Sequence, residues 1–393
     1  MIKACIAKGP LNKPPKIEIR TYSTMTSDLE NLNEWLKENK VEAVAMESTG
    51  VYWKPIFNIL ESDFPVSIAN PKYLKKVPGK KTDVSDSEWI ATLLRCGLIP
   101  KSFIPTLLIR ELRDLNRTRR KMVEHMASEK NRLQKVLEDA NIKLTSVVSK
   151  VDGVSSMNMI QALLNQDEIS REDIAAMVHG KLKNKIDQLV QALNGRLTNH
   201  HRYLLRLHLK QIAFLAEQIK ELDDVIQKKM KPFKKESDLI QTVPGIGKTT
   251  APAIIAEIGT DMSQFPDEAH LSSWAGICPG NNESAGVNKS GKIRKGNKYL
   301  KATLCEAAWS ASKKKGSAYS AYYNNIAKRR GKKRALVALA HRMLMDIYRT
   351  LKTGEPYVDE GAEAVFERNS SGRQKSAIRF LEKSGYVVTK ASA

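Results

Sequence analysis

Val41-Glu42-Ala43-Val44-Ala45-Met46-Glu47-Ser48-Thr49-Gly50 decides the fold of the first hundred residues. The apolar run from Val41 to Met46 has the length of a short buried strand and stops at a carboxylate followed by a small-residue turn. Upstream, Lys16-Ile17-Glu18-Ile19-Arg20-Thr21-Tyr22 alternates polar and apolar side chains, the period of a half-buried strand. Between the two, Ser27 to Lys40 sets Leu29, Leu32, Trp35 and Leu36 on one helical face. Val66 to Ala69 supplies a further apolar strand. Strands alternating with helices predict a partly parallel sheet, so residues 1–105 read as an α/β domain.

A carboxylate at a strand end beside a glycine turn stands at the rim of the sheet, where α/β folds collect their active sites. Glu47 holds that place, with a turn or helix-capping glutamate as the competing reading. Asp83 and Asp86, within Lys81-Thr82-Asp83-Val84-Ser85-Asp86-Ser87-Glu88, share one face at a helix start. Acidic residues also favour a first helical turn for electrostatic reasons alone. Carboxylates brought together repel unless a hard cation sits between them, and Mg2+ takes one or two carboxylates alongside phosphate oxygens. Two such ions ~4 Å apart activate the attacking oxygen and stabilise the leaving one in phosphoryl transfer.

The charge of the whole chain indicates which partner such a centre would meet. The 393 residues include 65 Lys plus Arg against 43 Asp plus Glu, a formal net charge of +22. Counterion release draws a surface of that sign to a nucleic-acid polyanion. No apolar run approaches the roughly 18 residues that span a bilayer. Met1-Ile2-Lys3-Ala4-Cys5-Ile6-Ala7 is too soon interrupted for a secretory signal, so a cytoplasmic, nucleoid-associated protein with no membrane partner is expected. Cys5, Cys96, Cys278 and Cys305 are too scattered for a zinc site or a disulfide framework.

Residues 106–236 change character. Leu112, Leu115, Met122, Met126, Leu133 and Val136 follow a seam near period 3.5 on a long helix, whose other face is basic: Arg117, Arg119, Arg120, Lys121, Lys130, Arg132 and Lys135. A second long helix, from about Leu204 to Met230, repeats Ile212, Leu215, Ile219, Leu222 and Ile226 at 3-4-3 spacing. Such helices suit an antiparallel coiled-coil pair or a dimer seam. The stretch between them, 150–200, is polar with a weaker helical pattern. Residues 237–355 form a further, mostly α-helical unit, and 356–393, rich in Ser, Gly, Lys and Arg, predict a basic, loosely ordered tail.

Three motifs of the 237–355 unit point to phosphate. Ile240 to Ala251 sets two short helices around Pro244-Gly245-Ile246-Gly247-Lys248, a helix-hairpin-helix pattern in which glycines let the backbone approach a phosphate at a helix N-terminus. A plain helix–turn–helix connection is the alternative. The loop Pro279-Gly280-Asn281-Asn282-Glu283-Ser284-Ala285-Gly286 continues into Lys289, Lys292, Arg294, Lys295 and Lys298. Ser284 in that setting is either a nucleophile, which needs activation because a free serine is weak, or one serine of a flexible phosphate-binding loop. The cluster Lys328-Arg329-Arg330-Gly331-Lys332-Lys333-Arg334 adds positive field, either against a nucleic-acid backbone or as a solvated linker.

Taken together these stretches resemble the bacterial insertion-sequence transposases of the IS one-ten group, related to the Piv-type DNA invertases. The likeness runs in order through Ala43, Met46-Glu47-Ser48-Thr49-Gly50-Val51-Tyr52-Trp53, Asn70-Pro71, Lys81-Thr82-Asp83-x-x-Asp86, the helical middle, Pro244-Gly245-Ile246-Gly247, Trp274-Ala275-Gly276-x-x-Pro279, Glu283-Ser284-Ala285-Gly286 and Lys295-Gly296-Asn297. It implies an N-terminal RNase H-like (RuvC-like) nuclease domain with an Asp-Glu-Asp-Asp metal centre, then coiled-coil helices and a C-terminal transposase domain with a catalytic serine. Glu47, Asp83 and Asp86 would be three of the Mg2+ ligands, and Ser284 the residue that forms a phosphoserine link to DNA. Pro244, Gly245, Gly247, Lys248, Lys292, Arg294 and Lys295 are expected on the DNA backbone. The resemblance also implies a bridge RNA that guides the enzyme and a homo-oligomer, dimer or tetramer, in which one subunit's acidic domain meets another's serine domain.

The family pattern opens with a strand carrying Gly-x-Asp. Here Met1–Ala7 reads as the second strand, so the leading strand and the first metal Asp are expected to be missing through a late start or decay. The residues leave two alternatives to a transposase: a structure-selective junction nuclease, which needs no serine, and an inactive nucleic-acid-binding relic.

Overall fold

The computed structural model describes residues 1–69, 71, 83–99, 103–166, 168–278, 283, 284, 287, 288 and 293–389. For residues 83–85, 283, 284, 287, 288, 369, 372, 373 and 375 only the backbone is described. Two units separate, Met1–Ile104 and Pro105–Ala393.

In the first unit β1 (Ile2–Lys8) and β2 (Lys16–Tyr22) pair antiparallel, Ile2 opposite Tyr22 and Lys8 opposite Lys16. Helix α1 (Thr26–Glu38) buries Leu29, Leu32, Trp35 and Leu36, the face its spacing predicts. Lys40 then takes φ 52°, and the Val41 amide bonds back to the Leu36 carbonyl at 3.1 Å. That left-handed turn closes the helix. The strand expected from Val41 therefore begins later, as β3 (Val44–Glu47). After α2 (Trp53–Leu60), β4 (Val66–Ala69) lies parallel to β3, with Glu47 opposite Ala69. Helix α3 (Asp83–Arg95) packs on both β1 and β3. Ile6, Trp35, Leu36, Leu60 and Phe64 form the core.

Among the described residues β1 pairs only with β2, and β3 only with β4, so each pair is its own sheet with an unpaired edge. A cleft of about 650 Å3 is lined by the whole of β1, the whole of β3 and Ser87, Ile90, Ala91 and Leu94 of α3.

The second unit is helical. Helix α4 (Leu107–Asp139) leads into a knob of short helices, α5 (Leu144–Val147), α6 (Val154–Asn165), α7 (Arg171–Met177) and α8 (Ile186–Leu193), and the chain returns along α9 (Asn199–Met230). Cross-helix polar contacts show that α4 and α9 run antiparallel. Glu111 meets Lys229 at 2.6 Å, Arg119 meets Asp223 at 2.5 Å, Glu129 meets His208 at 2.8 Å and Asp139 meets His201 at 2.9 Å, one number rising as the other falls. The polar 150–200 stretch hides a real core: Met159, Ile160, Ile174 and Leu189 are at most 1% exposed.

Next come α10 (Lys234–Ile240), α11 (Thr250–Ile258), α12 (Glu268–Ala275), the two-residue strands β5 (Glu283–Ser284) and β6 (Val287–Asn288), and α13 (Lys298–Ala311). Helices α14 (Ala318–Arg330) and α15 (Lys332–Thr353) complete this body. The tail expected to be loose instead holds α16 (Gly361–Lys383). Its start is fixed by the Ala362 amide donating to the Gly316 carbonyl at 2.9 Å and by Val365 packing on Ala318 and Ala321 of α14. Helix α4 packs against α11 through Arg113 and Arg117, so the expected boundary between 236 and 237 falls inside a single unit.

Candidate functional site

Glu47 ends β3 half-buried and accepts a hydrogen bond from Thr49 Oγ1 at 2.5 Å. It borders the cleft between the sheets. Asp83 is the first residue of α3, but its side chain lies outside the described residues, as do Asn70, Lys81 and Thr82 of the same motifs. Asp86, one turn on, is exposed. Among the described residues no three His, Cys, Asp or Glu side chains gather to hold a metal. The donors are oxygens alone, and that set suits a hard cation such as Mg2+ rather than a soft one. Cys5 is also on the cleft, and burial, with Glu88 nearby, pushes its thiol up to about 11.

The Pro-Gly-x-Gly turn joins α10 to α11. The Ile246 amide donates to the Val243 carbonyl at 3.1 Å, with Pro244 at the second position and Gly245 at the third with φ 90°, as a type II turn requires. The two glycines differ. A Cβ on Gly245 would stand 2.3 Å from the Ala307 carbonyl of α13, so packing within the protein already requires a glycine here. Gly247 has nothing within 4 Å of such a Cβ and is exposed, as are Lys248 and Thr249 at the start of α11. The open side of the turn is thus Gly247-Lys248.

Ser284 lies in β5, opposite Val287 of β6, with its side chain outside the described residues. Lys292 also lies outside them. The two ends of this loop are held together. Gly276, the left-handed cap of α12 at φ 70°, and Gly296 approach so closely that a Cβ on the first would be 2.7 Å from Gly296, and a Cβ on the second 2.4 Å from the Ala275 carbonyl. Arg294 and Lys295 are exposed just before this clamp. Asn297 follows it and caps α13, its Oδ1 accepting from the Tyr299 and Leu300 amides at 3.1 Å.

Sequence reasoning missed a buried, multiply paired polar cluster. Glu257, 3% exposed, receives Arg117 Nε at 2.7 Å and Nη2 at 2.8 Å, Asn297 Nδ2 at 2.6 Å, and Arg113 Nε at 3.5 Å. Arg113 also donates to the Ala256 and Glu257 carbonyls at the end of α11. Its burial lowers the guanidinium's pKa, and Glu257 opposes that. The signal was present: Glu257 is the one acid of Thr250-Ala251-Pro252-Ala253-Ile254-Ile255-Ala256-Glu257-Ile258, where an unpaired charge would be untenable.

The basic face of α4 is mostly engaged within the chain. Arg117 binds Glu257, Arg119 Asp223, Arg120 Glu124 and Glu306, Lys130 Asp152 and Arg132 Glu129. Lys135 is exposed. By contrast Lys328 to Arg334 all stand exposed around Gly331, where α14 turns into α15, and Lys313, Lys314 and Lys315 are exposed after α13.

Comparison with known proteins bears on both units. Residues 11–142 match the transposase model DEDD_Tnp_IS110, and residues 237–324 match the model of the transposase IS116/IS110/IS902 family; together they take in more than half of the chain. The pilin gene-inverting protein of Moraxella bovis is 29% identical over 124 residues, 31% of this chain and 38% of its own length. The transposase for insertion sequence element IS1111A of Coxiella burnetii is 32% identical over 124 residues, 30% of this chain and 33% of its own length. A protein of insertion element IS110 from Streptomyces coelicolor is 28% identical over 123 residues, 31% of this chain and 30% of its own. The chain spans only 30% to 38% of the length of these relatives. Both matched models are of transposases, one taking in most of the N-terminal α/β unit and the other falling within the helical body. Within that class the chain belongs to the IS110 family.

Proposed function

We propose that this protein cuts and rejoins DNA through a phosphoserine intermediate at Ser284. The carrying observation is the clamped hairpin: Gly276 against Gly296 fixes both ends of the Ser284 loop, with Arg294 and Lys295 exposed beside it. The Ser284 hydroxyl attacks phosphorus, a P–O bond to deoxyribose breaks, and the departing oxygen takes up a proton. Attack by another DNA hydroxyl on the phosphoserine ester reverses the sequence and releases the serine. The ester conserves the energy of the broken diester, so no ATP is consumed.

Glu47, Asp83 and Asp86 would hold the divalent cation, which when bound polarises the scissile phosphate and lowers the pKa of an attacking hydroxyl. Gly247 and Lys248, Lys313 to Lys315 and Lys328 to Arg334 provide the exposed positive surface for the phosphate backbone. A guide RNA and a homo-oligomer belong to the same reading and rest on the family resemblance.

Ser284→Ala should abolish covalent protein–DNA adducts in a denaturing trapping gel; adducts that persist reject the serine. Asp86→Asn should lower Mg2+-supported cleavage or raise the Mg2+ concentration it needs, and wild-type activity in chelator would count against the carboxylate site.

A further inference from the structure

We propose that Glu257 is a positioning residue for Ser284, tying the long helix α4 to the base of the serine loop. This rests on the Ser284 reading above.

A carboxylate buried in an apolar helix costs several kcal/mol unless it is paired and its lone pairs are met. Glu257 is met from two distant directions. Arg117 of α4 grips it with both Nε and Nη2, a bidentate geometry that fixes orientation as well as distance. From the other side Asn297 Nδ2 donates at 2.6 Å. Asn297 is occupied at both ends of its amide, since Oδ1 caps α13. A cap alone is served equally by Ser, Thr or Asp. The donor arm requires the amide, and it reaches Glu257. Arg117 also lies 4.5 Å over the ring of Tyr299, two residues past Asn297, so α4 meets the start of α13 directly as well as through Glu257.

The geometry of the clamp turns this contact into positioning. Gly296 is packed backbone to backbone on Ala275 and Gly276, with no slack for a methyl group. A displacement of Asn297 therefore moves the exit of the loop against its entrance. Packed elements of this kind respond by rearranging rather than by stretching. The 33-residue helix α4 reaches from the α6–α8 knob to this point, so the chain Arg117–Glu257–Asn297 sets the loop from the helix. Pairing by apolar groups would hold α11 in place as firmly, but it would not specify where Asn297 sits.

Two variants cut the chain at different links while leaving the fold in place. Asn297→Ser keeps the α13 cap and loses the reach to Glu257. Arg117→Lys keeps the charge and loses the bidentate grip. The full-length protein is compared with each variant for the single-turnover rate of adduct formation at saturating DNA, DNA affinity, Tm, and amide exchange at Ile293 to Lys295. Both variants should slow adduct formation by about 10- to 100-fold, as misplacement of a reacting group does. They should speed exchange at 293–295, while affinity and Tm stay near wild type. Unchanged exchange overturns the coupling. Faster exchange with an unchanged adduct rate makes Glu257 structural only and also overturns it. Ser284→Ala run alongside separates the two readings: adducts surviving in that variant show that the serine assignment has failed, whatever the exchange data say of the Arg117–Glu257–Asn297 chain.

Discussion

Glu47 and Glu257 are both glutamates near the end of a short apolar element, yet their surroundings are opposite. Glu257 is buried and surrounded by Arg117, Asn297 and Arg113. Glu47 sits half-buried at the border of a cleft and accepts from the neighbouring Thr49 hydroxyl. A carboxylate whose lone pairs are filled by fixed donors holds architecture. One with a local donor beside open space is available to a ligand. The same contrast divides the units: the N-terminal sheets leave strand edges unpaired along the cleft among the described residues, whereas in the C-terminal body Ile254, Leu304, Leu339 and Met343 are wholly enclosed.

The sharpest way to break this comparison is to truncate both acids. Glu257→Ala should cost about 3 kcal/mol in a urea melt, because it leaves Arg113 and Arg117 without their buried partner. Glu47→Ala should stay within about 0.5 kcal/mol of wild type while lowering strand cleavage about 100-fold. Equal losses of stability would end the distinction. The two turn glycines sharpen it next. Gly245→Ala meets the Ala307 carbonyl at a positive φ and should cost about 2 kcal/mol. Gly247→Ala should leave the melt unchanged and weaken DNA binding in a titration, if the open side of the turn is the one that meets phosphate.

Smaller effects separate the two sets of basic residues. Replacing Lys332 and Lys333 with alanine should reduce the slope of log K against log salt by about 0.9 for each phosphate left unneutralised. Replacing Arg119 and Lys130, which bind Asp223 and Asp152, should leave that slope in place. The mildest test is chemical. With its thiol raised to about 11, Cys5 holds less thiolate at mildly alkaline pH than a thiol of ordinary pKa, so an alkylating reagent should label exposed Cys96 well before it. Simultaneous labelling would show that the cleft does not shield Cys5.

What is legible in the sequence follows from local periodicity. The α1 face and the long helices α4 and α9 can be read because burial repeats at a fixed spacing within each of them, and strands β2 and β4 because their apolar residues alternate or run together in sequence. Features that depend on distant partners cannot. The basic face of α4 reads as open positive charge because three of its partners, Asp223, Glu257 and Glu306, lie more than 100 residues away. The packing of α13 against Gly245 is hidden because nothing local reveals it. Helix α16 reads as a loose tail because its Ser, Gly and charged residues mask a pattern anchored mainly at Val365. Of the candidate site, the position of Glu47 at a strand end follows from the run before it, whereas the clamp at Gly276 and Gly296 and the Glu257 cluster need the fold.

The central claim is that a serine of the helical body and carboxylates of the N-terminal unit converge on one phosphate. A structure of the DNA-bound assembly, trapped as the covalent adduct, tests it most directly. The account predicts phosphorus bonded to Ser284 Oγ, with Glu47, Asp83 and Asp86 of some subunit facing the same phosphate across a bound cation. An adduct on another residue, or Ser284 remote from every subunit's carboxylates while DNA is bound, would contradict it.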